Sequence, residues 1–239
     1  MKAIIKAAGL GSRLLPVTKN IPKTLVEVNG QPILHNILDA LKFVSASPIV
    51  VIVGHHAQKI IDFCLSNYPD TLFHFIYNPN YSTKPASYSM YLAKEHMCED
   101  ILMFNCDVFF EKDILFDLIQ YPYSVLAVDS SCRQLPINVH AVNEKIVEIN
   151  DNLPASLADY SSLDILKLQK KEAILLRNML VEFFEVKKQD ISRNEIITNL
   201  IKYYGMEIYI HDAVGKRWCE IDTAEDLIRA EKIFKGMHK

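Results

Sequence analysis

Cysteine is sparse and unpatterned in this chain. The 239 residues include five, Cys64, Cys98, Cys106, Cys132 and Cys219, and no two form a C-x-x-C pair. An odd number without paired spacing argues against a disulfide framework and against a thiolate zinc site, and points to reduced thiols in a cytoplasmic protein. Long apolar runs are lacking too: nowhere do about 18 apolar residues follow one another, so no membrane span is expected. The opening Met1–Ser12 begins basic and then apolar, as a secretory leader does, but Lys6 interrupts the run and a glycine-rich turn follows, so no leader is expected. An excess of one charge is also missing. A formal net charge of -3, with 23% charged residues, leaves no electrostatic footprint for nucleic acid. The only adjacent histidines, His55 and His56, follow a strand-like run; on an extended chain they point opposite ways and would not share a metal.

What is present is an alternation of strand and helix patterns. Lys2 to Ala8, Pro48 to Val53, Leu72 to Tyr77, Ile101 to Phe104 and Ser124 to Val128 read as strands. Between them Pro32–Val44, Ala57–Leu65, Ser87–Met97 and Lys112–Ile119 carry apolar residues at helical spacing. This order predicts a Rossmann-like, mostly parallel sheet flanked by helices over residues 1–135. Beyond it, Asn138 to Ile149 reads as two strands about the turn Asn143-Glu144-Lys145. A long helix is expected over Ser161 to Val186, another over Asn194 to Tyr204, a strand at Met206–His211 and a closing helix at Thr223–Phe234. With half the residues hydrophobic, one α/β domain with a full core is expected over 1–239. Its parts are a core (1–135), a smaller C-terminal α+β portion (136–216) and a closing strand and helix (217–239).

Glycine, with only seven residues, is concentrated where chemistry would need it. Ala7-Ala8-Gly9-Leu10-Gly11-Ser12-Arg13-Leu14 follows the first strand directly, and Pro22-Lys23-Thr24-Leu25 comes soon after. A glycine turn at the carboxyl end of a buried strand lets a phosphate approach backbone N–H groups. Arg13 adds a planar cation suited to phosphate oxygens, and Lys23 a second positive charge. The segment is not the dinucleotide fingerprint, because Leu14 occupies the third glycine's position, nor the G-x-x-x-x-G-K-S/T loop. An NAD-dependent oxidoreductase is disfavoured further because no acid ends the Pro48–Val53 strand. Two acidic segments complete the pattern. Asp107 follows the Ile101–Phe104 strand, where a carboxylate would meet phosphate and Mg2+. Glu220 and Asp222 alternate in Arg217-Trp218-Cys219-Glu220-Ile221-Asp222-Thr223, so both can face one side, and Thr223 with Asp226 forms a capping-box pattern for the last helix.

Taken together, these motifs resemble the sugar-nucleotide pyrophosphorylase-like nucleotidyltransferases. Their opening A-A-G-x-G-x-R-L and P-K-x-L is matched by residues 7–14 and 22–25, and Val26-Glu27-Val28-Asn29-Gly30-Gln31-Pro32 continues it. Trp218 to Leu227 and Tyr88-Ser89-Met90-Tyr91-Leu92 are similar to members of the bacterial choline-phosphate cytidylyltransferase type. The resemblance implies a GT-A-like fold and transfer of a nucleoside monophosphate from an NTP, with CTP favoured, to a small phosphorylated acceptor, with pyrophosphate released. It implies Arg13 and Lys23 as catalytic cations, Mg2+ on Asp107 and Asp222 with Glu220 as a further ligand, and nucleotide contacts from residues 7–13, Lys23, Asn78, Ala86, Ser87 and Asp107. Tyr160 and Trp218 are expected at the acceptor, where an aromatic face could receive a quaternary ammonium. Lys84-Pro85-Ala86 replaces the glycine turn usual for sugar-1-phosphate members, which stand as the alternative together with a non-catalytic nucleotide-binding regulator. Neither a nucleic-acid nor a membrane partner is expected, and a homo-oligomer is compatible. Lys6 departs from the family's apolar strand; a charge snorkelling at the strand end is expected there, with phosphate contact as the alternative.

Overall fold

The computed structural model describes residues 1–131 and 137–236; Cys132 and the 135/136 boundary lie outside them. The chain opens with β1 (Lys2–Ala7), three single 3-10 turns ending at Leu25, a hairpin of β2 (Glu27–Val28) and β3 (Gln31–Pro32), and α1 (Ile33–Phe43). There follow β4 (Ile49–Val53), α2 (Ala57–Asn67), β5 (Phe73–Tyr77), α3 (Ala86–Leu92), β6 (Ile101–Asn105), β7 (Val108–Phe110), α4 (Lys112–Gln120) and β8 (Val125–Asp129). The remainder is β9 (Asn138–Val142), β10 (Lys145–Asn150), β11 (Tyr160–Leu168), α5 (Lys170–Val181) running into a π-helical turn (Glu182–Lys187), α6 (Arg193–Tyr204), β12 (Tyr209–Asp212), β13 (Trp218–Glu220) and α7 (Ala224–Ile233).

Nine strands form one sheet in the order β5-β4-β1-β6-β11-β8-β12-β10-β9. The first four run parallel, as the strand–helix alternation predicts. β11 then enters antiparallel between β6 and β8. Its placement corrects the expectation of one helix from Ser161 to Val186: residues 160–168 are a central strand, and helix begins only at Lys170. Every residue of β11 after Tyr160 is buried, so both faces carry apolar or satisfied polar side chains and the two-residue period is hidden from the sequence. Helices cover both faces. Ala3 and Ile5 of β1 pack with Ile37 of α1, Ile114 of α4 and Ala230 of α7, whereas Ile4 packs with Met90 of α3, Leu176 of α5 and Ile196 of α6. No helix among the described residues is long and apolar enough to cross a membrane. His55 and His56 also depart from expectation. His56 adopts φ 52, and the turn brings the two rings to 4.0 Å between centroids instead of directing them apart.

A short second ladder positions the acids. β13 pairs antiparallel with β7, setting Glu220 opposite Val108, and Ile221 N–H donates to the Asp107 carbonyl at 2.8 Å. Two segments more than a hundred residues apart in sequence thus meet at the carboxyl end of β6. The capping box of α7 then fixes the turn after Asp222: Thr223 Oγ1 accepts from Asp226 N–H, and the Asp226 carboxylate accepts from the N–H groups of Asp222 and Thr223.

Candidate active site

A cleft of about 330 Å3 opens at the carboxyl ends of β1 and β6, lined by residues 6–13, Lys23, Asn78, Asn105, Asp107 and Asp222 among others. Its rim begins where β1 ends. Gly11 has φ 64, in the left-handed region, and a Cβ there would stand 2.9 Å from Lys23 Cβ. Glycine is therefore what lets the loop close over the 3-10 turn that carries Lys23. Thr18 Oγ1 donates to the Gly11 carbonyl at 2.8 Å, and His55 N–H to the Ala8 carbonyl at 3.1 Å, so the loop is pinned at both ends.

Lys23 is the centre of the arrangement. Its ammonium donates to Asp222 Oδ1 at 2.5 Å and Asp107 Oδ2 at 3.1 Å. Burial pulls this ammonium down, yet the Asp107 and Asp222 carboxylates outweigh it and hold Lys23 above its ordinary value. Arg13, mostly exposed, pairs with the other Asp222 oxygen at 2.8 Å. Glu220 completes a set of three carboxylates whose oxygens lie within 4.8 Å of one another. Burial, and then the neighbouring Asp107, Asp164 and Asp222 charges, push Glu220 up to about 8. Asp107 Oδ1 is buried without a hydrogen-bond partner. Three converging carboxylates, one with an orphaned buried oxygen, form a donor set suited to a hard divalent cation that also keeps phosphate oxygens as ligands.

The raised Glu220 sets a measurable sign. A carboxyl whose folded pKa lies above its unfolded value favours the folded state at low pH, and that contribution is lost as pH rises from about 4.5 to about 8. Glu220→Gln has no such loss. In metal-free protein its Tm advantage over the parent is expected to grow between pH 5 and pH 8. A constant difference across that range would contradict the assigned environment.

The cleft gathers most of the residues singled out in the sequence, but not all. Residues 7–13, Lys23, Asn78, Ala86, Asp107 and Asp222 line it. Asn78 is buried; its Nδ2 donates to Ser89 Oγ at 3.0 Å and its Oδ1 accepts from Asn80 N–H, so its amide ties the β5–α3 loop to α3. Ser87 does not face the cleft: it is fully buried and its hydroxyl donates to the Ile191 carbonyl, while Ser89 takes the lining position. Trp218 is likewise withdrawn. Its indole is 8% exposed and donates to Asp129 Oδ2 at 2.7 Å, which makes it an anchor of β13 rather than an open aromatic face. Tyr160 begins β11 opposite Val139 and is not among the lining residues.

Sequence reasoning missed a buried polar group beneath the cleft. Asp164 sits at φ 58 where β11 bulges between Ser162 and Leu166. Its Oδ1 accepts from Arg193 at 2.7 Å and Ser162 Oγ at 3.0 Å, and its Oδ2 from Asn105 Nδ2. Burial raises the Asp164 carboxyl, but Arg193 outweighs that and holds it below its ordinary value. Lys6 of β1, in register with Asn105 and half-buried, lines the cleft beside this group. A lysine in an otherwise apolar strand was the one sequence signal; nothing local marked Asp164 or Arg193.

Comparison with known proteins identifies the family. Residues 3–159 match the MobA-like NTP transferase domain. The chain is 29% identical over 239 residues to the choline-phosphate cytidylyltransferase of Streptococcus pneumoniae, covering 99% of each chain. It is 27% identical to the CTP:phosphoglutamine cytidylyltransferase of Campylobacter jejuni, covering 97% of this chain and all of the other. Among solved structures, the CTP:phosphocholine cytidylyltransferase of Streptococcus pneumoniae superposes with a TM-score of 0.76 at 23% identity, over 98% of this chain and 99% of that one. A matched region spanning well over half of the chain, on a nucleotidyltransferase fold, places this protein in the family of MobA-like NTP transferases.

Proposed function

We propose that this chain transfers CMP from CTP to a small phosphorylated acceptor and releases pyrophosphate. The observation that carries the reading is the convergence of Lys23 with Asp107, Asp222 and Glu220 at the glycine loop. The preference for CTP and for a phosphorylated non-sugar acceptor rests on the two full-length relatives, both cytidylyltransferases by name. Residues 1–135 and 217–239 supply the nucleotide side, and 136–216 the acceptor side.

In this reaction an acceptor phosphate oxygen attacks the α-phosphorus in line. The new P–O bond forms as the bond to the bridging α–β oxygen breaks, and pyrophosphate carries away the electron pair. The nucleophile is already anionic, so no side chain serves as base. The protein's work is positioning and charge neutralisation. The loop from Ala7 to Arg13 cradles the triphosphate. Arg13 leaves Asp222 to neutralise the departing pyrophosphate, and Lys23 stays over the α-phosphate, where negative charge grows. Asp107, Asp222 and Glu220 would hold Mg2+, which when bound supplies Lewis-acid stabilisation of the phosphate oxygens.

The test is pyrophosphate release with Mg2+, with CTP, UTP, ATP and GTP each offered phosphocholine, a phosphorylated amino acid or amide, an aminoalkylphosphonate and sugar-1-phosphates. Release that requires CTP and one of the first three is the expected result. Turnover with UTP and a sugar-1-phosphate alone would overturn the substrate assignment, and silence throughout would overturn the reaction.

A further inference from the structure

Lys6 is a cation that the nucleotide site does not account for. It lies on the central strand β1, with its side chain on the face of Ile4 and Ala8 that looks toward α3, α5 and α6. It reaches the cleft wall, and among the described residues its ammonium forms no ion pair or hydrogen bond. The carboxylates that could serve it are engaged elsewhere. Both oxygens of Asp164 are taken by Arg193, Ser162 and Asn105, and Asp107 gives one oxygen to Lys23 and bonds none to Lys6. Asp164, Arg193 and Lys6 together leave one positive charge over, and it is the one that faces open space. An ammonium set in a cleft wall, half-buried and without a protein partner, is where a bound anion finds an unanswered counter-charge. Burial first, and then Arg193, lower Lys6 to about 8, so a docking anion would also restore its full charge.

The position of Lys6 says which anion. The triphosphate's own partners, the glycine loop, Arg13 and Lys23, rise from the end of β1. Lys6 lies below them, on the side where β6 meets β11 and α6 begins. In-line displacement requires the entering oxygen opposite the departing pyrophosphate. Building on the nucleotidyl-transfer reading, we propose that Lys6 binds the phosphorus oxyanion of the acceptor and aims one of its oxygens at the α-phosphorus. Asn105, Asp164 and Arg193 are the frame that keeps the lysine extended: the bulge at Asp164 turns a carboxylate toward Arg193, and Arg193 in turn repels the Lys6 ammonium toward the cleft. The acceptor is thereby required to carry a phosphate or phosphonate, whatever group hangs from it.

Two measurements test this. The first compares the parent with Lys6→Met, which keeps the length of the side chain and removes its charge. With the acceptor found in the panel, the variant should raise the acceptor KM roughly 10- to 100-fold, the worth of one charge-assisted hydrogen bond, and leave the CTP KM unchanged. An unchanged acceptor KM, or a rise confined to the CTP KM, overturns the proposal. The second needs neither turnover nor a folded variant. Lysine acetylation of the parent protein is followed by mass spectrometry, with CTP alone and with CTP plus phosphocholine or inorganic phosphate, all without metal. Lys6 should be protected only when the phosphate compound is present. Complete protection by CTP alone, or none under any condition, overturns it. If the parent releases no pyrophosphate with any acceptor but Lys6 is still protected by phosphate, the reaction assignment fails and the anion site stands.

Discussion

Lys23→Met is expected to lower kcat by roughly 10²- to 10³-fold, the loss seen when one preorganised charge stabilising a transition state is removed. The magnitude follows from where the ammonium sits. It is largely shielded from water, between two carboxylates at 2.5 and 3.1 Å, on a turn fixed by Pro22 and by close approach to Gly11. A charge so held is already oriented before substrate arrives, and its shielding from bulk water makes it count for more than it would in the open. The same substitution has a second signature. Without Lys23, Asp107, Asp222 and Glu220 face one another with the exposed Arg13 as the one cation still paired directly to them among the described residues. The metal-free variant should therefore melt below the parent, and Mg2+ should restore more Tm to it than to the parent. Activity within a few-fold of the parent would remove Lys23 from the chemistry; a lowered Tm indifferent to Mg2+ would separate the carboxylates from metal binding.

The parts of this site that were legible in sequence are those written within a few consecutive residues. A strand followed by Gly9-Leu10-Gly11-Ser12-Arg13, then Pro22-Lys23, encodes its geometry locally: the left-handed turn, the extended proline and the cation follow one another along the chain. Asp107 was legible because it follows a short apolar strand, and Asp222 because it alternates with Glu220 on an extended run that the capping box of Thr223 and Asp226 brings to a stop. β11 was hidden for the opposite reason. A strand buried on both faces has no alternation to betray it, and Lys170 onward is helical enough for the pattern to seem continuous. Ser87 and Ser89 were indistinguishable until the phase of α3 was known. Trp218 looked like an open aromatic because its partner, Asp129, lies on β8, 89 positions earlier. Lys6, Asp164 and Arg193 come together only because β11 enters between β6 and β8, a topological fact that no window of sequence contains.

That late-entering strand also bears on the cluster of three carboxylates, since Asp164 is among the charges that raise Glu220. Asp107→Asn and Asp222→Asn should each reduce kcat/KM by roughly 10²- to 10³-fold, and the double variant should be little worse than either, because ligands that act as one unit lose their function together. EDTA should bring the parent to the level of the variants. Stability separates the two positions. Asp107 has one oxygen without a partner and repels Glu220, but its other oxygen holds Lys23 at 3.1 Å, so in metal-free protein its replacement removes a like charge from Glu220 and a counter-charge from Lys23 together, while Lys23 keeps Asp222 at 2.5 Å. Asp222 holds Lys23 through one oxygen and Arg13 through the other. Its replacement takes the shorter of the two counter-charge contacts from a shielded ammonium and frees Arg13 as well; the Lys23 pair, not the exposed Arg13 pair, carries the effect. Metal-free Asp107→Asn is thus expected to melt close to the parent, because relief of Glu220 offsets loss of one Lys23 contact, and Asp222→Asn below both. Adding Mg2+ should raise the parent clearly above Asp107→Asn, because only the parent retains the full carboxylate set. If both variants lost activity yet still gained as much Tm from Mg2+ as the parent does, the cation would bind elsewhere and these carboxylates would serve only to hold Lys23 and Arg13 in place.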